Sequence, residues 1–307
     1  ADDLAEEQRL PEQVDGFPVD VIEAKYVPQT ALNARLEMAT EQRNRRFDKV
    51  PLGVSVGSRY TTAGTLGALV LDEQTGEQMI LSNWHVLAGR DDVQAGLPIW
   101  QPGWIDGGTR DENTIAELSR WMLGPFDAAV ARVTGARPVE ARTVEGRSVE
   151  DIGPPQLGMQ VWKSGRSTGL TRGFIDGIKM TVNLSYRNVG TRSLEQVFRV
   201  VPRPGEGNLE LSIGGDSGAV WVEEGSNKVV GLHFAGEVGN FPEHALAHDI
   251  TAVIQALDVR FPAQGSRRQP KPRLPKPGGK KQPATDDGLQ MLIRYYIDRL
   301  FKTMRLE

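Results

Sequence analysis

A serine, a histidine and an aspartate lie in three short motifs whose combined chemistry is that of an activated nucleophile. Ser217 is preceded by Gly-Gly-Asp and followed by Gly, His85 lies in Ser-Asn-Trp-His-Val, and Asp127 lies in Phe-Asp-Ala-Ala-Val. A serine hydroxyl attacks a carbonyl only when a base removes its proton, and an imidazole oriented by a carboxylate is such a base. The motifs therefore predict Ser217 as nucleophile, His85 as general base and Asp127 as the group that orients it.

The backbone around the serine meets a second requirement, because it offers donors for the negative charge that develops on the attacked carbonyl oxygen. The N–H groups of Gly215 and Ser217 can point into one small cavity, since glycine at 215 leaves no side chain in the way. One such donor contributes roughly 2.7–4 kcal/mol of transition-state stabilisation. We expect these two amides to form the oxyanion hole.

The segments that must position these residues are predicted to be short β-strands. Between 53 and 258, brief runs of Val, Leu, Ile and Ala alternate with Gly, Pro, Asn and Asp, which is typical of an all-β sandwich or barrel. Ile250–Leu257 is predicted to be a short helix, because Val253, Ile254 and Leu257 share one face. The predicted strands are Thr65–Asp72, Gln78–Ser82, Asp127–Val133, Met159–Lys163, Phe174–Val182, Val197–Val201, Ala219–Val222 and Val229–Phe234.

Composition bounds the class of protein. The 307 residues include 39% hydrophobic residues and 34 glycines, which fit a turn-rich globular protein better than a helical bundle. A net charge of −4 gives no electrostatic case for nucleic acid, and no apolar run is long enough for a membrane helix. The absence of cysteine excludes disulfides and thiolate sites, and from the acidic segment at 1–7 we expect no signal peptide. These features predict a cytoplasmic protein without a metal or another cofactor.

The β-rich region, 51–258, lies between two segments of different texture. Residues 1–50 form a polar N-terminal extension with a predicted helix over Ala31–Phe47. Residues 259–285 are rich in Pro, Lys and Arg and are predicted to be an extended linker. An amphipathic helix is predicted over 286–307, where its apolar stripe would bind the protein's own body, a second copy or a partner protein. The stripe consists of Leu289, Ile293, Tyr296, Leu300 and Met304.

Taken together, the three motifs resemble those of the chymotrypsin/trypsin-like serine proteases. The separations of 42 residues from His85 to Asp127 and 90 from Asp127 to Ser217 are close to those of that family. The resemblance implies that 51–258 is a protease domain of two packed six-stranded antiparallel β-barrels, with a boundary near 136–156. It also implies that the triad lies between the barrels and that the substrate is a protein or peptide.

Three segments look like an intracellular bacterial branch of this family, which is related to plant narrow-leaf proteins. These segments are Thr-Leu-Gly at 65–67, Leu-Ser-Asn-Trp-His-Val-Leu at 81–87 and Gly-Arg-Ser-Thr-Gly-Leu-Thr-Arg-Gly at 165–173. Membership of that branch would imply a homo-oligomer.

The chain departs from the secreted members of the family around Asp216. In those enzymes a freshly cut N-terminus pairs with the aspartate before the serine, but no Ile-Val-Gly-Gly-like segment begins the barrel in this sequence. We therefore expect either that Asp216 pairs with an arginine or that the oxyanion hole forms without cleavage.

Three residues are expected to line the pocket for the side chain that precedes the scissile bond: Ser212, His233 and Gly236. The Gly-x-His-x-x-Gly pattern around His233 resembles glutamyl endopeptidases and viral 3C-like proteases, whose histidine receives Glu or Gln. An imidazole can donate a hydrogen bond to a carboxylate or an amide oxygen. A plain apolar preference and a buried structural histidine are the alternatives. Leu211 stands where trypsin has its pocket aspartate, so cleavage after Lys or Arg is not expected.

The sequence admits three other interpretations. The α/β-hydrolase elbow needs Gly-x-Ser-x-Gly before a helix, whereas Ala219 replaces the last glycine here and a strand-like run follows. His244 and His248 have a metal-like spacing but lack the glutamate of a zinc protease, so no metal is predicted. A protease-like scaffold or binding protein, assembled through 286–307, is the alternative from another functional class.

Overall fold

The computed structural model describes residues 13–14, 17–18, 24–29, 41–149, 151–187, 189–203, 210–238 and 243–262. The predicted linker and C-terminal helix lie outside the described residues, apart from the first four residues of the linker. Among the described residues, no helix is long and apolar enough to cross a membrane. The strands are β1 Gln13–Val14, β2 Phe17–Pro18, β3 Tyr26–Pro28, β4 Val50–Leu52, β5 Ser55–Val56, β6 Gly64–Thr65, β7 Ala68–Asp72, β8 Gln78–Ser82, β9 Pro98–Trp100, β10 Thr114–Leu123, β11 Asp127–Val133, β12 Val139–Thr143, β13 Asp151–Ile152, β14 Gln160–Gly165, β15 Gly169–Tyr186, β16 Gly190–Pro202, β17 Val220–Glu223, β18 Lys228–Glu237, β19 Ala245–Asp249 and β20 Val259–Arg260.

Helices are few and short in the described part of the chain, in agreement with an all-β prediction. The predicted helix over Ile250–Leu257 is present as Ile250–Ala256. Of the predicted helix Ala31–Phe47, the structure describes a helical turn over Glu41–Asn44, and residues 31–40 lie outside the described residues. The helices are α1 Glu41–Asn44, α2 Trp84–Leu87, α3 Arg110–Asn113 and α4 Ile250–Ala256, with a 3₁₀ turn at Trp104–Asp106.

The first large sheet has six strands in the order β20-β7-β8-β11-β10-β9, and every pairing is antiparallel. Residues 127–131 of β11 are buried on both faces, since α2 packs on one side of this central strand. Small side chains at Ala128, Ala129 and Ala131 permit that close packing. The predicted linker was expected to begin at 259, but Val259–Arg260 pairs with β7 and belongs to the sheet.

The second large sheet has eight strands. Six of them each pair with two others in a ring, β18-β17-β14-β15-β16-β19, in which β19 returns to β18. The two additional strands both pair with β18: β13 runs parallel to it, and β3 comes from the N-terminal extension. The arrangement of both sheets as closed six-stranded barrels stays a prediction.

Candidate active site

His85 and Asp127 form a buried pair at the first sheet. β8 ends at Ser82, the chain turns through α2, and His85 lies in that turn beside the first residue of β11. The ring Nδ1 of His85 hydrogen-bonds Oδ2 of Asp127, and the backbone N–H of His85 donates to Oδ1 at 3.1 Å. Asn83 Nδ2 donates to the Asp127 carbonyl at 2.7 Å, which ties the turn to the strand. The structure therefore brings together two of the three predicted triad residues.

Two residues from the second sheet complete the surroundings of Asp127. The hydroxyl of Tyr186 donates to Oδ2 at 2.8 Å, and the backbone N–H of Asp127 donates to Nε2 of His248 at 3.1 Å. Burial raises the pKa of the Asp127 carboxyl, but the charge of His85 and the hydrogen bonds from His85 and Tyr186 outweigh it, so the pKa lies below its ordinary value. Asp127 is thus held as a carboxylate.

His248 is a buried neutral imidazole rather than a metal ligand. Its Nε2 accepts the Asp127 N–H, so its Nδ1 carries the proton and donates to the Glu195 carbonyl at 3.1 Å. Burial lowers the pKa of His248 to about 4. His244 has a different partner, the Tyr26 hydroxyl at 3.2 Å from its Nδ1. Among the described residues, no group of three or more His, Cys, Asp or Glu side chains could hold a metal ion.

Gly64 packs closely against both Val86 of α2 and the backbone of Ser217. A Cβ built on Gly64 would lie 2.4 Å from Val86 Cγ2 and 2.9 Å from the Ser217 carbonyl oxygen, so only glycine allows this approach. The Ser217 carbonyl accepts the Thr65 N–H at 2.7 Å. The Ser217 hydroxyl Oγ donates to the Phe234 carbonyl at 3.0 Å. Nε2 of His85 is buried without a hydrogen-bond partner in the described part of the chain. The structure therefore does not pair the hydroxyl with the imidazole.

The turn before Ser217 depends on glycine at 215. Gly215 has φ +101°, and a Cβ there would lie 2.4 Å from Ser167 Oγ and 2.7 Å from Arg166 Nη1. The Gly215 carbonyl accepts the Thr65 hydroxyl at 2.9 Å, which fixes the orientation of the preceding backbone. The N–H of Gly215 donates at 2.8 Å to the carbonyl of Gln29, a residue of the N-terminal extension.

Asp216 pairs with a lysine, whereas an arginine was one of the expectations. Nζ of Lys163, on β14, lies 3.1 Å from Oδ2 of Asp216, and neither side chain is exposed. Thr168 donates to the same carboxylate through its hydroxyl at 2.7 Å and its N–H at 3.1 Å, and the N–H groups of Ser167 and Ile213 donate at 2.9 and 3.1 Å. Burial raises the pKa of Asp216, but Lys163 and these donors lower it below its ordinary value. The arginine nearby, Arg166, instead forms two hydrogen bonds with Asp106.

The three residues expected to line the specificity pocket surround the side chain of Gln29. Oε1 of Gln29 lies 2.7 Å from Nε2 of His233, and Nε2 of Gln29 donates to the Ser212 carbonyl at 3.0 Å. A Cβ on Gly236 would lie 2.0 Å from Gln29 Nε2 and 2.8 Å from Ser212 Oγ, so a side chain at 236 would fill this space. Gln29 is only 3% exposed. The sequence contained no local signal for this occupant.

Comparison with known proteins identifies the fold. No family model and no curated protein sequence matches the chain. A Nocardiopsis protease matches with a TM-score of 0.51 at 18% identity, over 69% of this chain and 98% of its own. A glutamic-acid-specific serine protease, which uses a histidine triad in substrate binding, matches with a TM-score of 0.52 at 16% identity, over 69% and 100%. A chymotrypsin from Cellulomonas bogoriensis matches with a TM-score of 0.51 at 18% identity, over 70% and 100%. The chain has the chymotrypsin-like serine protease fold.

Proposed function

We propose that this protein is a serine endopeptidase that hydrolyses peptide bonds through Ser217, His85 and Asp127. The observation that carries the proposal is the buried hydrogen-bonded pair of His85 and Asp127, in which Nε2 of His85 is left without a partner in the described part of the chain. A buried imidazole oriented by a carboxylate is the arrangement that a serine nucleophile requires.

The reaction assigns one step to each group. Nε2 of His85 takes the proton of Ser217 Oγ as the oxygen attacks the carbonyl carbon, and the N–H groups of Gly215 and Ser217 stabilise the oxyanion. The imidazolium then protonates the leaving amine as the C–N bond breaks, and water hydrolyses the acyl-enzyme by the reverse sequence of proton transfers. Asp127 stays ionised throughout. For this chemistry the Ser217 hydroxyl must give up its hydrogen bond to the Phe234 carbonyl and donate to Nε2 of His85 instead.

Substrate preference follows from the pocket formed by Ser212, His233 and Gly236. An imidazole nitrogen can hydrogen-bond a side-chain oxygen of Glu or Gln, and His233 is therefore proposed as a residue that determines specificity. The alternative of an apolar preference would leave these polar atoms unpaired when substrate is bound, which disfavours it.

A protease-like binding protein is the second candidate. The observation that favours it is the hydrogen bond from Ser217 Oγ to the Phe234 carbonyl, which keeps the hydroxyl away from His85. A cytoplasmic location, the relation to an intracellular bacterial branch and assembly through 286–307 also stay predictions.

Labelling with an active-site fluorophosphonate separates the two candidates. We expect a covalent adduct on Ser217 in the wild-type chain and in Gln29→Ala, whose specificity pocket is emptied. Ser217→Ala is expected to show none, and His85→Ala is expected to react at least about 100-fold more slowly because the base contributes on that scale. Absence of an adduct on Ser217 in both the wild type and Gln29→Ala would rule out the endopeptidase.

A further inference from the structure

The segment Lys25–Gln29 lies along β18 as an extended strand. β3 pairs antiparallel with β18 through Pro28 opposite Ala235, Val27 opposite Gly236 and Tyr26 opposite Glu237. The N–H of Gln29 points at the Phe234 carbonyl at 3.4 Å, and the Val238 N–H donates to the Lys25 carbonyl at 3.1 Å. Strand addition of this kind gives affinity through the main chain, while pockets for single side chains give specificity.

The carbonyl of Gln29 lies where the proposed chemistry requires a substrate carbonyl. Its oxygen accepts the N–H of Gly215 at 2.8 Å, which is one of the two donors assigned to the oxyanion hole. Its side chain fills the pocket of Ser212, His233 and Gly236. Gln29 therefore makes three kinds of contact with the site. Its N–H faces β18, its carbonyl accepts from Gly215, and its side chain fills the pocket.

We propose that the N-terminal extension is an internal substrate and that the protein cleaves its own peptide bond after Gln29, with glutamine selected over glutamate. The proposal rests on the endopeptidase function proposed above. It deepens that function by naming the bond and the side-chain class that the pocket accepts.

Selection of the amide follows from the two pocket contacts. The Ser212 carbonyl can only accept, so the NH₂ group of Gln29 must face it, and Oε1 must then accept from an N–H on Nε2 of His233. A glutamate in the same position would place a carboxylate oxygen 3.0 Å from a carbonyl oxygen, without a proton between them. Burying a polar atom without its hydrogen bond opposes binding.

The charges around the pocket act in the same direction. Burial, followed by the positive charge of Lys163, lowers the pKa of His233 to about 3, so the imidazole is neutral and cannot balance a carboxylate. A neutral histidine therefore favours an uncharged amide over a carboxylate in this pocket.

The cleavage balances with water as the second reactant. The Ser217 Oγ–Gln29 carbon bond forms as the proton moves to His85, and the bond from Gln29 to the Thr30 nitrogen breaks as that proton moves to the nitrogen. Water then attacks the ester, its proton passes through His85 to Ser217 Oγ, and the Oγ–carbon bond breaks. The products are an N-terminal fragment that ends in the Gln29 carboxylate and a chain that begins at Thr30.

Intact-mass measurement with N-terminal sequencing tests the proposal on the full chain. The wild type is expected to yield a product that begins at Thr30, at a first-order rate unchanged over a tenfold range of protein concentration. Ser217→Ala is expected to stay intact, and Gln29→Glu to be cleaved roughly 10- to 100-fold more slowly because one hydrogen bond is replaced by a repulsive contact. Gln78→Glu makes the same change on an exposed residue of β8 and should be cleaved like the wild type.

The outcomes separate this proposal from the one on which it rests. Fluorophosphonate labelling of Ser217 in Gln29→Ala, together with a wild-type chain that stays intact after Gln29, would overturn self-cleavage and leave the endopeptidase standing. Absence of labelling in both chains would overturn the endopeptidase itself. Equal cleavage of the wild type and Gln29→Glu would overturn the selection of glutamine, and a rate proportional to concentration would overturn cleavage within one molecule.

Discussion

Nζ of Lys163 lies 3.1 Å from Oδ2 of Asp216, and both side chains are fully buried. The pair connects β14 of the second sheet to the turn that carries Gly215 and Ser217. Lys163 thus supplies the positive charge beside Asp216. In secreted proteases of the family that the sequence resembles, a newly cut N-terminus supplies this charge. The turn is held in place by a residue that is present before any cleavage.

Loss of Lys163 should strongly destabilise the protein. Lys163→Met leaves Asp216 buried beside an apolar side chain, and an uncompensated buried charge typically costs about 3–5 kcal/mol. We expect the free energy of unfolding in urea to fall by that amount and labelling of Ser217 to fall with it. Lys228→Met, at an exposed position of β18, is the matched control and should change stability by less than about 0.5 kcal/mol. Equal stability of the two variants would contradict the anchoring role.

Tyr186 should act on catalysis through Asp127. Tyr186→Phe removes the donor to Oδ2 and keeps the ring, so His85 is less firmly oriented. Because a hydrogen bond to a charged group is worth about 1.5–3 kcal/mol, we expect kcat to fall by roughly 10-fold or more with little change in KM. Tyr60→Phe, at an exposed tyrosine, is the control. A Tyr186→Phe enzyme with unchanged kcat would show that this contact does not position the pair.

The buried neutral His248 should make stability depend on pH between its unfolded and folded pKa values. Its pKa is about 4 in the folded protein and near 6.5 when unfolded, so the unfolded chain binds a proton first as pH falls. The contribution of the neutral His248 to the free energy of unfolding is fully present above about pH 6.5 and is lost as pH falls toward 4. Replacement by leucine should reduce the slope of unfolding free energy against pH by about 1.4 kcal/mol per pH unit in this window.

The control for that experiment is Phe126→Leu, which alters packing against His248 without removing a titratable group. Its stability is expected to be lower at every pH with an unchanged slope. If His248→Leu kept the wild-type slope, the imidazole would not be neutral in the folded state.

The pocket at Gly236 should tolerate no side chain. Gly236→Ala would place a Cβ 2.0 Å from the Gln29 amide nitrogen, so both self-cleavage and turnover of glutamine peptides should fall by at least about 100-fold. Gly153→Ala is the control, since its Cβ would meet Lys228 Cδ at an ordinary 3.6 Å. Stability of both variants is measured in parallel, because a folded Gly236→Ala protein with normal turnover would contradict the pocket assignment.

Sequence reasoning succeeded where the information is local. The β class and the positions of β8, β11 and β17 follow from short apolar runs with turn residues around them, and the His85–Asp127 pair follows from motifs at the ends of two such strands. Lys163 lies in a predicted strand, directly after the apolar residues Val161 and Trp162. A lysine that such a strand buries needs a buried partner, but the sequence does not identify Asp216 as that partner.

The missed features depend on contacts between distant residues. β10 was not predicted because polar and charged residues interrupt its apolar ones, and β15 was expected to end at Val182 rather than Tyr186 because polar residues alternate through its second half. Tyr186 was therefore not connected to Asp127. Gln29 lies in a polar extension, and its place in the pocket arises only when β3 pairs with a strand more than 200 residues away.

Burst titration tests the central claim, that Ser217 forms an acyl-enzyme, most directly. The wild type is mixed with a p-nitrophenyl ester of a short peptide that ends in glutamine, and release of nitrophenol is followed in the first turnover. We predict a burst of about one equivalent per protein molecule, followed by slower steady turnover, and no burst with Ser217→Ala. No burst in the wild type, or an equal burst in Ser217→Ala, would contradict the account.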